Sequence, residues 1–384
     1  MQVEFNIYSV PLLFGFWHGL LFTTLLYIRG FRQERLSDYL LATLLLLASI
    51  YIMPYMLGFM NVSVMWDELL FFPTDPGLLI GPVIYFYLIT QTNQDFQFSR
   101  KDFWHLLLFA IYFFYHLVIF VQGKDMVQWW IHNVDSLYVE PAIKVITLAA
   151  NYYYLYISMR YYRRYRSWVE STYADPEPIQ FRWYRNFLYL MGASITLSWS
   201  FAALNELGAQ LSYTQNWWEY FFIAILVYLL SLFGFTQNQR TLLFFDKNIQ
   251  SEAQEKNNIQ DKITNQELAT WRDKIQQFLT DDKIYLQPEL SLIDMADRLE
   301  ISSNMLSQYI NLGFGINFKQ LINDFRIGEF KKEVVKESNS HMTLLAIAMN
   351  CGFNSKATFN RVFKKSTGLS PREYIDQAKS DSTS

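Results

Sequence analysis

One cysteine, Cys351, stands in 384 residues. That scarcity excludes an intrachain disulfide and any thiolate cluster for zinc or iron–sulfur. Charged residues are also few, 17% of the chain against 52% hydrophobic, which excludes a disordered chain. Fifteen Gly and ten Pro are too few for a collagen-like repeat. There is no basic excess either, since the formal net charge is -3. That charge and the mean hydropathy of +0.05 average two unlike halves. The chain carries 33 Phe, 26 Tyr and 11 Trp, yet only twelve aromatic residues stand from position 250 onward. No P-loop, nucleotide-binding glycine pattern or catalytic triad occurs in the carboxyl-terminal part. No enzymatic activity, catalytic residue, cofactor or metal ligand is therefore expected.

Long apolar runs, by contrast, are plentiful. A helix needs about 17 to 25 residues to cross a hydrocarbon core roughly 30 Å thick. Seven runs before residue 240 are candidates: 8–28, 37–60, 77–90, 103–121, 141–159, 187–207 and 217–235. The third is the shortest, and Pro82 inside it is tolerable as a kink in a packed bundle. Residues 1–28 hold no Lys or Arg and the first run lacks a small-residue cleavage site, so no cleaved signal peptide is expected.

Lys and Arg concentrate on the cytoplasmic side of membrane proteins. Here the connections after the first, third, fifth and seventh runs hold Arg29, Arg32, Arg35, Arg100, Lys101, a cluster from Arg160 to Arg185, Arg240 and Lys247. The opposite side offers only Lys124, with Lys144 at the mouth of the fifth run. The pattern predicts seven spans with the amino terminus outside and the carboxyl terminus in the cytoplasm.

Polar groups within the runs, His18, His116, Asn151, Asn205 and Glu206, are costly in hydrocarbon unless paired or facing a cavity. Each is a candidate for the lining of a sensory pocket, the alternative being a hydrogen bond across helices or a place near the interface. None has metal-ligand or acid/base spacing. After the seventh run the composition turns polar, and residues 238–264 read equally as a flexible linker or a solvated signalling helix. From Gln266, the spacing of Leu268, Trp271, Ile275, Phe278 and Leu279 predicts an amphipathic helix.

Farther on, Ser291 and Asp294 have capping-box spacing ahead of an apolar face of Leu292, Met295, Ala296 and Leu299. A break at Ile301 and Ser302 precedes a second helix with Met305, Leu306, Tyr309 and Ile310 inward. Two short helices across such a turn form a helix-turn-helix, whose second helix can enter the major groove. The arrangement recurs from Thr343 to Lys365, with Gly352 in the turn, Asn354 or Ser355 starting the second helix, and Phe359, Val362 and Phe363 inward. Between the units Phe318, Leu321, Ile322, Phe325 and Ile327 suit one connecting helix.

From about Tyr285 to Gln377 the chain resembles the AraC/XylS-type DNA-binding domain. The resemblance is carried by the run IAMNCGFNSKATFNRVFKKSTGLSPREY, with its GF, its F-x-R-x-F-K-K and its G-x-S-P-x-x-Y, and by FRI around Arg326. It covers about a quarter of the chain. Phe330 stands where the family usually has Ala, and Ile375 where Arg is frequent, which bears on local packing. The whole arrangement resembles membrane-bound AraC-type regulators with a multi-span sensor.

The first recognition helix is expected to leave Ser303, Asn304, Ser307, Gln308 and Asn311 facing solvent, all uncharged. The second offers Ser355, Lys356, Thr358, Asn360, Arg361, Lys364 and Lys365. Between His341 and Lys379 six bases face two acids, a local excess of four positive charges. The second unit should therefore supply most of the phosphate affinity, and the first neutral contacts. Arg326 is expected as a buried ion-pair partner, and Cys351 as a small core residue.

The expected fold is all-α: a seven-span sensor over residues 1–236, a linker over 237–265, a DNA-binding domain over 266–379 and a disordered tail over 380–384. The expected protein is a one-component transcriptional activator in the inner membrane of a bacterium. Its expected partners are double-stranded promoter DNA, the lipid bilayer, RNA polymerase, a second copy of the chain as a homodimer, and an unidentified signal ligand. The rival is a transporter or receptor whose helix-turn-helix tail binds a protein or only regulates it.

Overall fold

The computed structural model describes residues 3–93, 95–174, 182–209, 211–236, 245, 264–336 and 341–382. Nearly all of the junction at 238–264 therefore lies outside the described residues. Among those described there is no strand, and one isolated antiparallel bridge joins Tyr173 to Ser291. Backbone contacts divide the chain into two units, Met1–Arg163 with Arg182–Phe244, and Arg164–Phe181 with Phe245–Ser384.

The first unit contains α1 (Ser9–Gln33), α2 (Leu36–Phe59), α3 (Val64–Asp67), α4 (Gly77–Thr92), α5 (Leu107–Phe120), α6 (Lys124–Trp130), most of α7 (Glu140–Thr172), α8 (Arg182–Leu204) and α9 (Tyr213–Phe235). Each of the seven apolar runs falls largely in a helix, but among the described residues five segments are long and apolar enough to cross a bilayer: Ser9–Gln33, Leu36–Phe59, Asp102–Phe120, Trp183–Leu204 and Tyr213–Phe235. Helix α4 stops at 16 residues. Helix α7 is long, but Asn151, the tyrosines at 152, 153, 154 and 156 and the arginines from Arg160 dilute its hydropathy.

Small residues let these helices approach closely. A Cβ at Gly15 would stand 2.5 Å from the Ala224 Cβ, and one at Gly19 would collide with the Ser49 hydroxyl, so α1 lies directly on α9 and α2. The two glycines form a G-x-x-x-G, a spacing that suits helix packing where lipid removes the hydrophobic drive between helices. At the other end of α1, Arg29 grips Asp38 through Nε (2.6 Å) and Nη2 (2.8 Å), and its Nη1 donates to the Phe235 carbonyl (2.5 Å). The guanidinium thus ties α1 to α2 and α9. Helix α5 is at the opposite extreme of burial: Leu107, Leu108, Ile111, Phe114 and Val118 are all exposed.

The second unit contains α10 (Asn265–Asp282), α11 (Leu292–Arg298), α12 (Ser303–Phe314), α13 (Phe318–Glu333), α14 (Leu344–Asn350), α15 (Lys356–Thr367) and α16 (Pro371–Ser382). Ser291 caps α11 in the expected capping box with Asp294, and Thr343 caps α14 by accepting from the Ala346 amide. One core gathers Ile275, Leu279, Met295, Leu306, Tyr309, Ile310 and Ile322, and a second gathers Phe330, Ile347, Cys351, Phe353, Phe359 and Phe363. Phe330 is fully buried against Phe359 and Phe363, at ring distances of 4.7 and 5.4 Å. Its large ring belongs to the core. Ala174 also enters the first core, and its amide donates to the Leu290 carbonyl (3.3 Å) beside the Tyr173–Ser291 bridge.

Candidate nucleic-acid interface and helix-bundle cavity

The two helix-turn-helix units are built alike. In each, a seven-residue helix leads through a left-handed residue, Glu300 (φ 57°) or Gly352 (φ 91°), to a twelve-residue helix capped by serine, Ser302 or Ser355. Each second helix ends at a left-handed glycine, Gly315 or Gly368. Gly352 is needed twice over, because a Cβ there would lie 2.5 Å from the Tyr285 carbonyl oxygen and 2.9 Å from the Arg326 Nε.

Arg326 is fully buried, as expected. Its Nε donates to the Tyr285 carbonyl (2.7 Å) and its Nη2 to the Gln287 carbonyl (2.7 Å), while the guanidinium lies 5.8 Å from the Phe353 ring centre. The arginine of α13 therefore clamps the 285–288 loop through backbone carbonyls. Asn354, a candidate cap, donates instead to the Pro288 carbonyl (3.0 Å) and leaves the capping to Ser355. Glu329 accepts from Lys283 (2.7 Å) and from the Tyr285 hydroxyl (3.3 Å). The Lys283 hydrogen bond holds this carboxyl below its ordinary value, against the opposing effect of burial. Burial pushes the Cys351 thiol up to about 12, so it stays protonated in its core position.

On α15, Lys356, Asn360, Arg361, Lys364 and Lys365 are exposed along one face. Ser355 is half-buried and occupied with capping. Thr358 departs from the expected solvent-facing set: it is 1% exposed, and its hydroxyl accepts from Ser355 (3.1 Å). On α12, Asn311 is exposed, Ser303, Ser307 and Gln308 are half-buried, and Asn304 is also turned inward, at 8% exposure. Asn304 and Thr358 both stand in the first turn of their helices.

A cleft of about 380 Å³ between α13 and α15 adds residues that helical spacing alone does not single out. Lys319, Gln320 and Asn323 from α13 face Arg361 and Lys365 from α15 across it. Asn317, at its edge, caps α13 by accepting from the Gln320 amide. The signal was a base in the first turn of the linker helix, but only the fold brings it beside Arg361.

The polar residues of the bundle part company. His18 Nε2 lies 2.6 Å from the Ser231 hydroxyl, and His116 Nδ1 lies 3.2 Å from the Phe71 carbonyl oxygen. Asn151 and Asn205 line a common cavity of about 370 Å³, which the two histidines do not reach. The Glu206 side chain lies outside the described residues. Asp75 and Glu219, absent from the candidates drawn from sequence, line the same cavity. For Glu219 the signal was a carboxylate within the seventh apolar run. Among the described residues no group of three or more His, Cys, Asp or Glu is placed to hold a metal ion.

A family model described as a helix-turn-helix domain matches residues 295–377. Uncharacterised HTH-type transcriptional regulators of Staphylococcus aureus strains MSSA476 and MW2 are each 28% identical to this chain over 102 residues, covering 27% of it. The matched part spans 13% of the length of those relatives. No solved structure matches the chain significantly. The carboxyl-terminal part is thus an AraC-type helix-turn-helix domain, similar to the domains of proteins described as transcriptional regulators.

Proposed function

We propose that the protein is a membrane-embedded, one-component transcription factor that binds promoter DNA with both helix-turn-helix units and changes its activity with a signal received in the helix bundle. The observation that carries the reading is the doubled unit, with its second long helix presenting Lys356, Arg361, Lys364 and Lys365 to solvent. Two reading helices in one chain suit successive major-groove faces about 34 Å apart. Helix α15 supplies phosphate contacts from its four bases, and the cleft with Lys319 extends them. Ser303, Ser307, Gln308 and Asn311 on α12, and Asn360 on α15, supply neutral base or phosphate contacts. Asn304, Ser355 and Thr358 serve the caps and first turns that aim those helices. A second copy of the chain would double the site, and an activator would present RNA polymerase with a further face of the same domain.

The exposed apolar face of α5 and the five long apolar helices support insertion in the cytoplasmic membrane of a bacterium. Adding α4 and α7 gives seven crossings. Both counts are odd, and both put the carboxyl-terminal domain in the cytoplasm when the amino terminus is outside. They differ in the middle: seven crossings place Arg100 and Lys101 inside and Lys124 outside, and five reverse this. The distribution of bases favours seven. The proposed boundaries are a sensor to residue 236, a linker to 265 and a DNA-binding domain to 379.

Footprinting with a fragment from about residue 262 to 384 tests the function. A protected promoter sequence at moderate salt is expected. Binding without sequence preference at every salt concentration would leave the rival, a tail that binds protein, as the better reading.

A further inference from the structure

The cavity among α2, α4, α7, α8 and α9 has the volume of a small-molecule site. Part of its wall is aromatic: Tyr55 stacks on Tyr220 at a ring distance of 3.6 Å, Tyr51 lies 5.4 Å from Tyr220, and Trp199 also lines it. Its charge is unbalanced. Glu219 is 7% exposed and receives hydrogen bonds from the Tyr51 hydroxyl (3.0 Å) and Ser198, which supply no positive charge. No Lys, Arg or His among the described residues lies within ion-pair distance of it. Asp75, in the same lining, accepts from the Gly77 amide (2.8 Å). The lining has one cation, Lys144, whose ammonium lies 3.0 Å from Glu140.

A buried carboxylate is stable when a cation and further hydrogen bonds meet it. An ammonium would supply the counter-charge that an ionised Glu219 lacks, a neutral ligand would supply none, and an anionic one would be repelled. Tyrosine and tryptophan faces attract cations as well. We propose that this cavity binds a small protonated organic amine, its ammonium on Glu219 and its apolar body against Tyr55, Tyr220 and Trp199, with Asp75 as a second carboxylate in the lining. The amine is then the class of signal for the sensor, a step that rests on the function proposed above. An ammonium on Glu219 joins α9 to whatever the ligand body touches on α2 and α8, so an occupied cavity differs in helix packing from an empty one.

The test uses the full chain in phosphatidylcholine nanodiscs at pH 7, with empty nanodiscs as the partition control. The probes are phenethylamine and tryptamine, with 2-phenylethanol and phenylacetate as neutral and anionic counterparts. The amines should raise Tm and bind saturably in equilibrium dialysis, and the two counterparts should not. Glu219→Gln should weaken amine binding about tenfold or more, the worth of a hydrogen bond to a charged group. Asp75→Asn, which keeps an oxygen to accept from the Gly77 amide, should weaken it about threefold. Equal binding of alcohol and amine, unchanged amine affinity in both variants, or no binding of either amine would overturn the proposal. A promoter footprint indifferent to bound amine would remove the sensing role and leave the site standing. A footprint that persists while no amine binds would remove the site and leave the DNA-binding reading standing.

Discussion

Arg361 and Arg326 carry the same guanidinium to opposite ends. Arg361 is exposed on the face of α15, where its charge is available to a phosphate. In the proposed role, Arg361→Ala makes the plot of log K against log salt shallower by about 0.9 for each phosphate it ceases to neutralise. Asn360→Ala on the same face should leave that slope unchanged, and anisotropy titrations over a range of salt concentrations read both. Gly352 carries a purely structural demand. Its positive φ and the Tyr285 carbonyl 2.5 Å from a Cβ make Gly352→Ala destabilising by about 2–4 kcal/mol, measured by denaturant unfolding of the 262–384 fragment. Much at this level was readable in advance. The Ser291–Asp294 box, the glycine turn and the inward Phe359 and Phe363 involve residues a few positions apart, and so follow from helical geometry. Arg326 did not, because its carbonyl partners lie 39 and 41 residues away.

The linker helix α13 holds the second unit together through long-range bonds, and one of them sets a pH dependence. Glu329 has a folded value below the ordinary 4.5, so its contribution is fully present above that value and is lost as pH falls through the lower folded one. Glu329→Gln should therefore destabilise the fragment at neutral pH, and the gap to the parent should close in acid. Unfolding curves between pH 7 and pH 3 measure it, and a gap independent of pH would remove the Lys283 pairing as the cause. In the bundle, α1 depends on its close approach at Gly15. Gly15→Leu forces α1 away from Ala224 and should cost about 1–3 kcal/mol, seen as a lower Tm in nanodiscs. Helices α4 and α7 show the limit of reading spans by hydropathy. One is 16 residues long and the other mixes tyrosine with arginine, so neither length nor composition places them across a bilayer.

For the molecule as a whole, the decisive quantity is the sidedness of its connections. Reporter fusions at residues 97 and 123 separate the two counts. Seven crossings place the first in the cytoplasm and the second outside, and five give the opposite pattern. A fusion after residue 380 should report cytoplasm in either case, and an external signal there would overturn the DNA-binding role outright. The net charge of -3 gave no hint of such a role, yet the bases gather where the second recognition helix is exposed.

Most helix positions, the Ser291 cap, the doubled helix-turn-helix and the apolar runs were legible in the order of residues. Each rests on hydrogen bonds and side-chain spacings within one or two helical turns. The inward turn of Asn304 and Thr358, the carbonyl clamp of Arg326 and the cavity around Glu219 were not. The clamp and the cavity depend on groups far apart in the chain, such as Tyr51 and Glu219 at a separation of 168 residues, and such groups meet only when whole helices pack.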